Sequence, residues 1–337
     1  MNYNTLFYRL GLNKFKKIEK NYKDVVCYYD TGLSSLNVGD EIINDAGINQ
    51  LKKVLSDQQF FKVSTHDGIS SRGIYHSNLC DLRVLCGSNI LSDNVLVGSS
   101  WNISVLDVIR MEPIIFMGVG WNKYSESSKK SAKIIYNRLF DKEYIHSVRD
   151  EYTKNKLKSI GITNVINTGC PTMWNFTPDF CKEVNKEKSD NVVFTLTDYD
   201  RNYEQDKFLI KTLQNEYKKV YFWPQGHLDK EYISSLDVEN IEIIPPRLSD
   251  YDELLKNNDI DFVGTRLHGG IRALQHKKRT LIVAIDNRAI EKNKDFNLPV
   301  IHRDKLQTNL QGIINNDIIC DIKIPLENIN KWLNQFK

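Results

Sequence analysis

Short apolar runs alternate with longer segments of helical periodicity along almost the whole chain. Continuous apolar runs of this length are typical of strands buried on both faces, as in parallel sheets. They predict strands at residues 25–29, 82–86, 113–117, 144–148, 191–195, 219–223, 261–263 and 280–284. The segments between and after them predict helices, among others at residues 40–55, 125–139, 150–159, 204–217 and 326–336. This alternation of strand and helix predicts an α/β fold.

One segment interrupts the alternation. Residues 176–190 combine a proline with a dense mixture of charges, which is typical of a linker. We therefore predict an N-terminal domain at residues 1–180 and a C-terminal domain at residues 181–337, each a doubly wound, Rossmann-like unit. Open α/β sheets bind ligands at the carboxyl ends of their strands. A ligand cleft is therefore expected where the two domains face each other.

The composition excludes several classes of protein. The chain has 337 residues, of which 41% are hydrophobic and 26% charged, as in an ordinary globular protein. Its 46 basic and 43 acidic side chains give a net charge of +3, so no strong field favours nucleic acid. The 6 cysteines lack C-x-x-C spacing, and the 7 histidines are not spaced as metal ligands beside them. We expect reduced, buried thiols and no metal site.

The sequence gives no sign of a membrane span or a signal peptide. It has no apolar run of membrane-spanning length, and its first residues lack an apolar core. We therefore expect a cytoplasmic protein. The basic segment at residues 8–23 has two interpretations. An ordinary solvated helix is favoured, and the alternative is a segment that rests on an anionic membrane surface, which would make the protein peripheral at the inner face of the membrane.

Two loops with glycine follow predicted strands in the first half of the chain. In the first loop, Gly39 permits close approach of another group or a positive φ angle. Asp40 can cap the following helix or hold a substrate hydroxyl. In the second loop, Gly118 and Gly120 can let the backbone wrap a phosphate or a sugar ring. A tight turn packed against the sheet is the alternative for this second loop.

Three further loops carry cationic or amide side chains. Asp150 is placed to cap a helix, and Arg149 before it can face a ligand or pair with Asp150. Gln225 can bond to a substrate or serve a turn. Arg266 and His268 lie where a helix begins after a strand, which suits an anionic ligand and proton transfer near neutral pH. The alternative is a structural turn whose arginine pairs with a buried carboxylate.

In chain order, the motifs N-x-G-D, G-x-G, S-x-R-D and R-L-H resemble the polysaccharide pyruvyl transferase family. The resemblance spans residues 37–286, with a similar glycine-bearing strand end at residues 85–91. It implies a glycosyltransferase-B-like enzyme that moves the pyruvyl group of phosphoenolpyruvate onto a sugar of a surface polysaccharide or its lipid-linked precursor. It implies no metal and no organic cofactor. It also implies that Arg149 and Arg266 hold the anionic groups of the donor and that His268 lies at the donor site.

One position departs from the family pattern. Many members have a Y-D-x-K-like segment after the strand that follows R-L-H, where residues 284–291 of this chain offer Arg288 and no lysine. For catalysis we expect His268 to act as a general acid beside Arg266. Asp40 is expected to orient or deprotonate the acceptor hydroxyl. The candidate substrate-binding residues are Asn37, Gly39, Gly118, Gly120, Arg149, Gln225 and Arg288.

Two other functions stay open at this point. A glycosyltransferase of the same architecture would bind a nucleotide sugar, with a carboxylate on the ribose. Asp250, Asp252 and Glu253 are candidates for that carboxylate, although they equally fit the first turn of a helix. The second is a non-catalytic sugar-binding subunit of a polysaccharide assembly complex. Three tryptophans can stack on sugars or pack in the core: Trp101, Trp121 and Trp174.

Overall fold

The structure, a computed structural model, describes residues 22–96, 100–125 and 128–337. Strands β1 to β12 are Tyr22–Asp30, Gln59–Ser64, Cys80–Cys86, Ile115–Met117, His146–Val148, Val165–Asn167, Asn191–Thr195, Lys219–Phe222, Glu242–Ile243, Asp261–Gly264, Thr280–Ala284 and Val300–His302. Helices α1 to α13 are Val38–Lys52, Ser71–Leu79, Val105–Arg110, Lys130–Leu139, Glu151–Ser159, Pro178–Lys182, Tyr203–Glu216, Asp229–Ser235, Leu248–Asn257, Leu267–Gln275, Asn287–Phe296, Leu306–Ile314 and Leu326–Asn334.

All eight predicted strands have counterparts in the structure, and the helices predicted at residues 40–55, 125–139, 150–159, 204–217 and 326–336 correspond to α1, α4, α5, α7 and α13. The prediction missed β2, β6, β9 and β12. The basic segment at residues 8–23 lies outside the described residues except for its last two, which begin β1.

The described chain forms two compact units. The first contains the described residues of Met1–Ser35, with Ile43–Pro171 and Pro325–Lys337. The second contains Leu36–Ile42 and Thr172–Ile324. The main division therefore falls at Pro171, before the charged segment where we predicted it. The short segment with the N-x-G-D motif belongs to the second unit, and the C-terminal helix α13 belongs to the first.

The first unit contains a parallel sheet in the order β2-β1-β3-β4. A parallel bridge between Val119 and Val148 connects the end of this sheet to the parallel pair β5-β6. Val84 and Leu85 are successive residues of β3, so their side chains point to opposite faces. Both are completely buried, and the interior of this sheet is therefore covered on both sides.

The second unit contains a six-stranded parallel sheet in the order β12-β11-β10-β7-β8-β9. This is the strand order of the dinucleotide-binding Rossmann fold. Strands β7 to β9 are added toward one edge of the sheet and strands β10 to β12 toward the other, so the strand order switches between β7 and β10. Phe194 and Val263 pack in one apolar cluster, whereas Val193 and Phe262 pack in another. The α/β fold class with two doubly wound units is confirmed. The cleft between them stays a prediction.

The cysteines and tryptophans are placed as core residues. All six cysteines are free thiols, five of them buried and Cys320 half-buried. Trp101, Trp121 and Trp174 are buried, so core packing rather than sugar stacking is their role in this conformation. Of the helices in the described ranges, none has both the length and the apolarity that a membrane crossing requires.

A buried histidine should make the stability of the fold sensitive to acid. His146 packs edge-on against the rings of Phe116 and Phe140, which stack on each other. Its Nδ1 accepts the N–H of Phe116 at 3.1 Å and its Nε2–H donates to the carbonyl of Asp141 at 2.7 Å. Burial lowers the pKa of His146 from 6.5 to about 4, because the charged ring would lose its hydration.

In the unfolded chain His146 is therefore protonated below about pH 6.5, whereas in the folded chain it stays neutral down to about pH 4. The stability that the neutral, buried His146 contributes is fully present above pH 6.5 and is lost as the pH falls from 6.5 to about 4. Between pH 7 and pH 5, the free energy of unfolding should fall by about 2 kcal/mol more in the natural chain than in His146→Gln. Urea unfolding at both pH values measures it, with the exposed His302→Gln as control. Equal pH dependence in all three proteins would contradict it.

Candidate functional site

The loop with Arg266 and His268 lies where the strand order of the second unit's sheet switches, between β7 and β10. Strand β10 ends at Gly264, and helix α10 begins at Leu267. The N–H of Thr265 donates to the carbonyl of Thr195 at 3.0 Å, and the N–H of Arg266 donates to the Thr195 hydroxyl at 3.1 Å. Thr195 is the last residue of β7. The loop is therefore fastened to the carboxyl end of the neighbouring strand, at the point where open α/β sheets bind ligands.

The Arg266 side chain is buried and paired with two carboxylates. Its Nε donates to Asp229 at 3.1 Å and to the carbonyl of Leu196 at 3.0 Å. Its Nη2 donates to Asp198 at 2.8 Å and also contacts Asp229. These contacts match the alternative interpretation, in which the arginine pairs with buried carboxylates. The third guanidinium nitrogen, Nη1, makes no hydrogen bond to an acceptor among the described residues.

Asp229 connects the Arg266 loop to the loop that contains Gln225. Its carboxylate is fully buried and accepts the N–H groups of Gln225 at 3.0 Å, Gly226 at 2.7 Å and Asp198 at 3.1 Å. A Cβ atom at Gly226 would overlap Arg266 Nη2. The position therefore needs glycine because the guanidinium group lies directly against the backbone. Asp229 and Gly226 together fix where Arg266 lies.

The N-x-G-D segment joins the same network. Asn37 Oδ1 accepts the N–H of Gly39 at 3.0 Å and Gln225 Nε2 at 2.8 Å, and the N–H of Val38 donates to the carbonyl of Gln225 at 3.0 Å. Asn37 therefore caps α1, and the two interpretations of Asp40, as a helix cap or as a group that holds a substrate hydroxyl, stay predictions. Asp40 is buried in the first turn of α1. At Gly39 the structure shows close approach, since a Cβ there would lie 2.6 Å from Gln225 Nε2.

His268 lies in the first turn of α10 and is buried. Arg266 occupies the position before the helix, and its side chain makes no capping hydrogen bond to this first turn. A helix N-terminus offers backbone donors and a partial positive charge, which together bind anions. The arrangement can hold an anion against α10 with an imidazole beside it.

Tyr199 was missed by the sequence analysis. It follows β7, its side chain is exposed, and its ring lies 5.2 Å from Arg266 Cζ and 5.6 Å from Arg288 Cζ. Arg288 donates to the Tyr199 hydroxyl and, through Nε, to Asp286 at 2.8 Å. Tyr199 thus places two of the predicted site arginines on one aromatic ring. Its position after a strand at the carboxyl edge of the sheet was the available signal.

In the first unit, Arg149 repeats the arrangement of a buried arginine against a glycine. Its Nε lies 3.3 Å from Asp150, its Nη2 contacts Asn89, and a Cβ atom at Gly120 would overlap its guanidinium group. Asp150 also accepts the N–H of Thr153 at 2.7 Å, which confirms its predicted role as the cap of α5. The Arg149–Asp150 pairing is the alternative that the sequence left open.

The loop with Gly118 and Gly120 is a tight turn bonded to the protein itself. Gly118 has a φ angle of +63°, and its N–H donates to the Ser147 hydroxyl at 2.9 Å. The N–H of Gly120 donates to the carbonyl of Ser88 at 2.9 Å. These donors are occupied, so the conformation is that of a turn against the sheet rather than of a phosphate-wrapping loop.

Two of the three carboxylates considered for a nucleotide ribose, Asp250 and Asp252, are engaged in ion pairs. Asp250 accepts Arg247 Nε at 2.7 Å. Burial alone would raise the pKa of Asp252, but hydrogen bonds from Arg272 and His276 lower it to about 2. Both residues lie in the first half of α9. Over the described ranges, no group of three or more His, Cys, Asp or Glu side chains is placed to hold a metal ion.

The second unit therefore brings together Asn37, Gly39, Gln225, Arg266 and Arg288 around one edge of its sheet, with Asp40 and His268 at the starts of adjoining helices. Arg149, Gly118 and Gly120 lie in the first unit.

A Rossmann-like sheet with a charged loop at the switch point of its strand order defines an α/β fold of the kind in which ligands bind at this edge. The family model for polysaccharide pyruvyl transferases matches residues 37–287, which is more than half of the chain. The chain belongs to this family of transferases. No curated protein sequence matches it.

Among solved structures, the UDP-GlcNAc 2-epimerase of Methanocaldococcus jannaschii is 11% identical, with 92% of this chain and 99% of that chain covered and a TM-score of 0.46. The UDP-GlcNAc 2-epimerase of Neisseria meningitidis is 13% identical, with 93% and 98% covered and a TM-score of 0.45. The heptosyltransferase WaaC of E. coli is 12% identical, with 77% and 88% covered and a TM-score of 0.39. Likeness at this level says nothing of substrate.

Proposed function

We propose that this chain transfers the pyruvyl group of phosphoenolpyruvate to a sugar of a surface polysaccharide or of its lipid-linked precursor. The product is a ketal, and phosphate is released. Membership of the family supports the reaction class. The observation that carries the proposal is the start of α10, where a helix N-terminus that the Arg266 side chain does not cap adjoins His268 at the point where the strand order of the sheet switches.

The chemistry of the donor fits this position. Phosphoenolpyruvate has a phosphate and a carboxylate, and either group can accept hydrogen bonds from the first N–H groups of a helix. Arg266 is anchored by Asp229 and Asp198, so its charge is largely balanced inside the protein. We assign it to orient the loop and to present its Nη1 edge to the donor. Arg149 and Arg288 are the further proposed donor contacts.

The reaction needs a proton at the methylene carbon of the donor. His268 supplies it, which turns the methylene into a methyl group and makes the central carbon electrophilic. One sugar hydroxyl adds to that carbon, the bond to the phosphate oxygen breaks, and a second hydroxyl of the same sugar closes the ketal. Of the two hydroxyl protons, one replaces the proton taken from His268 and the other leaves with phosphate. Asp40 is the proposed group that orients or deprotonates a hydroxyl, with Asn37, Gly39 and Gln225 beside it.

Mass spectrometry of sugar acceptors after incubation with phosphoenolpyruvate tests the reaction. We expect an acceptor to gain a ketal-linked three-carbon acid, with one phosphate released per molecule of product. The acceptors should include lipid-linked and chromogenic sugars. Absence of both product and phosphate with every acceptor, while phosphoenolpyruvate still binds, would favour the non-catalytic sugar-binding subunit.

Ligand stabilisation separates the proposed donor from a nucleotide sugar. A ligand that binds only the folded state raises the free energy of unfolding by RT ln(1 + [L]/Kd), and the unfolding temperature rises with it. We expect phosphoenolpyruvate to raise the unfolding temperature at matched ionic strength and uridine diphosphate to leave it unchanged. Stabilisation by the nucleotide alone would replace the proposed donor with a nucleotide sugar.

A further inference from the structure

Helix α3 of the first unit turns apolar side chains toward solvent. Val105, Leu106 and Ile109 are 54%, 67% and 43% exposed, while Val108 is buried. The helix is well formed, because Ser104 and Asp107 make a reciprocal capping box at its start. A surface helix normally turns its apolar stripe inward. Here most of the apolar side chains of the helix face outward, so they need a separate explanation.

Helix α4 continues this apolar surface. Arg138 Nη2 donates to the carbonyl of Ile109 at 3.4 Å, which places the two helices side by side. Ile134 lies one helical turn before Arg138 and therefore on the same face of α4. It is 71% exposed, whereas Ile135 and Leu139 on the other face are buried. We call this surface the α3–α4 patch. It consists of Val105, Leu106, Ile109 and Ile134 with the neighbouring Lys129, Lys130 and Lys133.

The charged side chains of the two helices are predominantly positive. Lys130 and Lys133 of α4 are exposed, as is Lys129 directly before it. The two helices also contain Arg110 and Arg138, and their one acidic residue, Asp107, is bound in the capping box. Exposed aliphatic side chains bordered by lysines are the combination that binds the interface of an anionic bilayer. A symmetric contact with a second copy would place this positively charged surface against itself.

We propose that the α3–α4 patch docks the protein on an anionic lipid surface. The aliphatic side chains enter the headgroup region, and the lysines lie over the lipid phosphates. This surface is distinct from the loops of the second unit, and its binding to lipid requires neither phosphoenolpyruvate nor a sugar. Its failure and the failure of the proposed reaction are therefore separate results.

Vesicle sedimentation of the full chain tests the proposal. Vesicles of phosphatidylcholine alone are compared with vesicles of equal parts phosphatidylcholine and phosphatidylglycerol. One variant combines Leu106→Ser with Ile109→Ser, and a second combines Lys130→Glu with Lys133→Glu. Because these side chains are exposed, the unfolding temperature should not change. The matched control is Ile319→Ser, which alters a side chain of the second unit that is 73% exposed.

We expect binding to the anionic vesicles only, weakened by added salt. Each patch variant should lower the partition coefficient about tenfold or more, and Ile319→Ser should leave it unchanged. Three results would overturn the proposal. The natural chain fails to bind; the patch variants bind as well as the natural chain, which would locate binding elsewhere; or the natural chain is a dimer that the patch variants convert to a monomer.

Discussion

His268→Gln should lower the rate of phosphate release from phosphoenolpyruvate by about 10²- to 10⁴-fold, the usual contribution of a general acid. Glutamine keeps a polar side chain of similar reach but cannot transfer a proton at neutral pH. His268 is buried at the start of α10, so this loss should appear in kcat more than in KM. Initial rates at saturating donor measure it.

His227→Gln is the matched control for this variant. His227 is exposed on the neighbouring loop of the same unit, directly after Gly226. It should retain a normal rate. Urea unfolding of both variants reports whether either substitution disturbs the fold. A His268→Gln enzyme with a near-normal kcat would remove the imidazole from the mechanism and leave only the backbone N–H groups of α10.

Arg266→Lys should lower kcat about 100-fold or more, because a displacement of about 1 Å at a positioning group has an effect of that size. The ammonium group of lysine cannot bond to Asp229, Asp198 and the carbonyl of Leu196 together, as the guanidinium fork does. The free energy of unfolding should also fall, by about 1 to 3 kcal/mol, since buried acceptors lose a donor.

Arg279→Lys provides the comparison that separates catalysis from stability. Arg279 is buried, lies 2.5 Å from Asp261, and donates to the carbonyl of Ile314 at 2.7 Å. It precedes β11, at the amino edge of the same sheet and therefore at the end opposite to Arg266. Its replacement should cost about 1 to 3 kcal/mol of stability or more, because lysine keeps the charge but buried acceptors lose their donors.

The rate per folded molecule of Arg279→Lys should nevertheless match that of the natural chain. Urea unfolding and initial rates, both taken well below the unfolding transition, measure the two effects. If both variants lost rate only in proportion to their loss of stability, Arg266 would be a structural residue and not part of the site.

The interior of each sheet was predictable from sequence because strands such as β3 and β10 are buried on both faces and therefore read as continuous apolar runs. The strands that were missed, β2, β6, β9 and β12, each form an edge of a sheet. Strand β9 is only two residues long and exposed. An edge strand has one free side and needs no continuous apolar run, so its pairing depends on the neighbour and not on its own pattern.

The site was predictable in part for a similar reason. The loop with Arg266 is recognisable because strand, turn and helix succeed each other locally. The partners of Arg266 are not local, since Asp229 is 37 residues away and Asp198 is 68 residues away along the chain. Their meeting is a consequence of the strand order, in which β7 and β10 are neighbours. The sequence therefore indicated that Arg266 lies at this edge of the sheet, but it could not indicate that Asp229 and Asp198 pair with it.

The membership of Leu36–Ile42 in the second unit has a consequence for how enzymes of this kind can be recombined. Asn37 bonds to Gln225 from a position far upstream, separated from it along the chain by the long segment Ile43–Pro171 of the first unit. A chimaera spliced at a single junction near Pro171 would give Gln225 an Asn37 from a different parent. Hybrids that take Asn37 and Gln225 from one parent would have to exchange this short upstream segment together with the rest of the second unit.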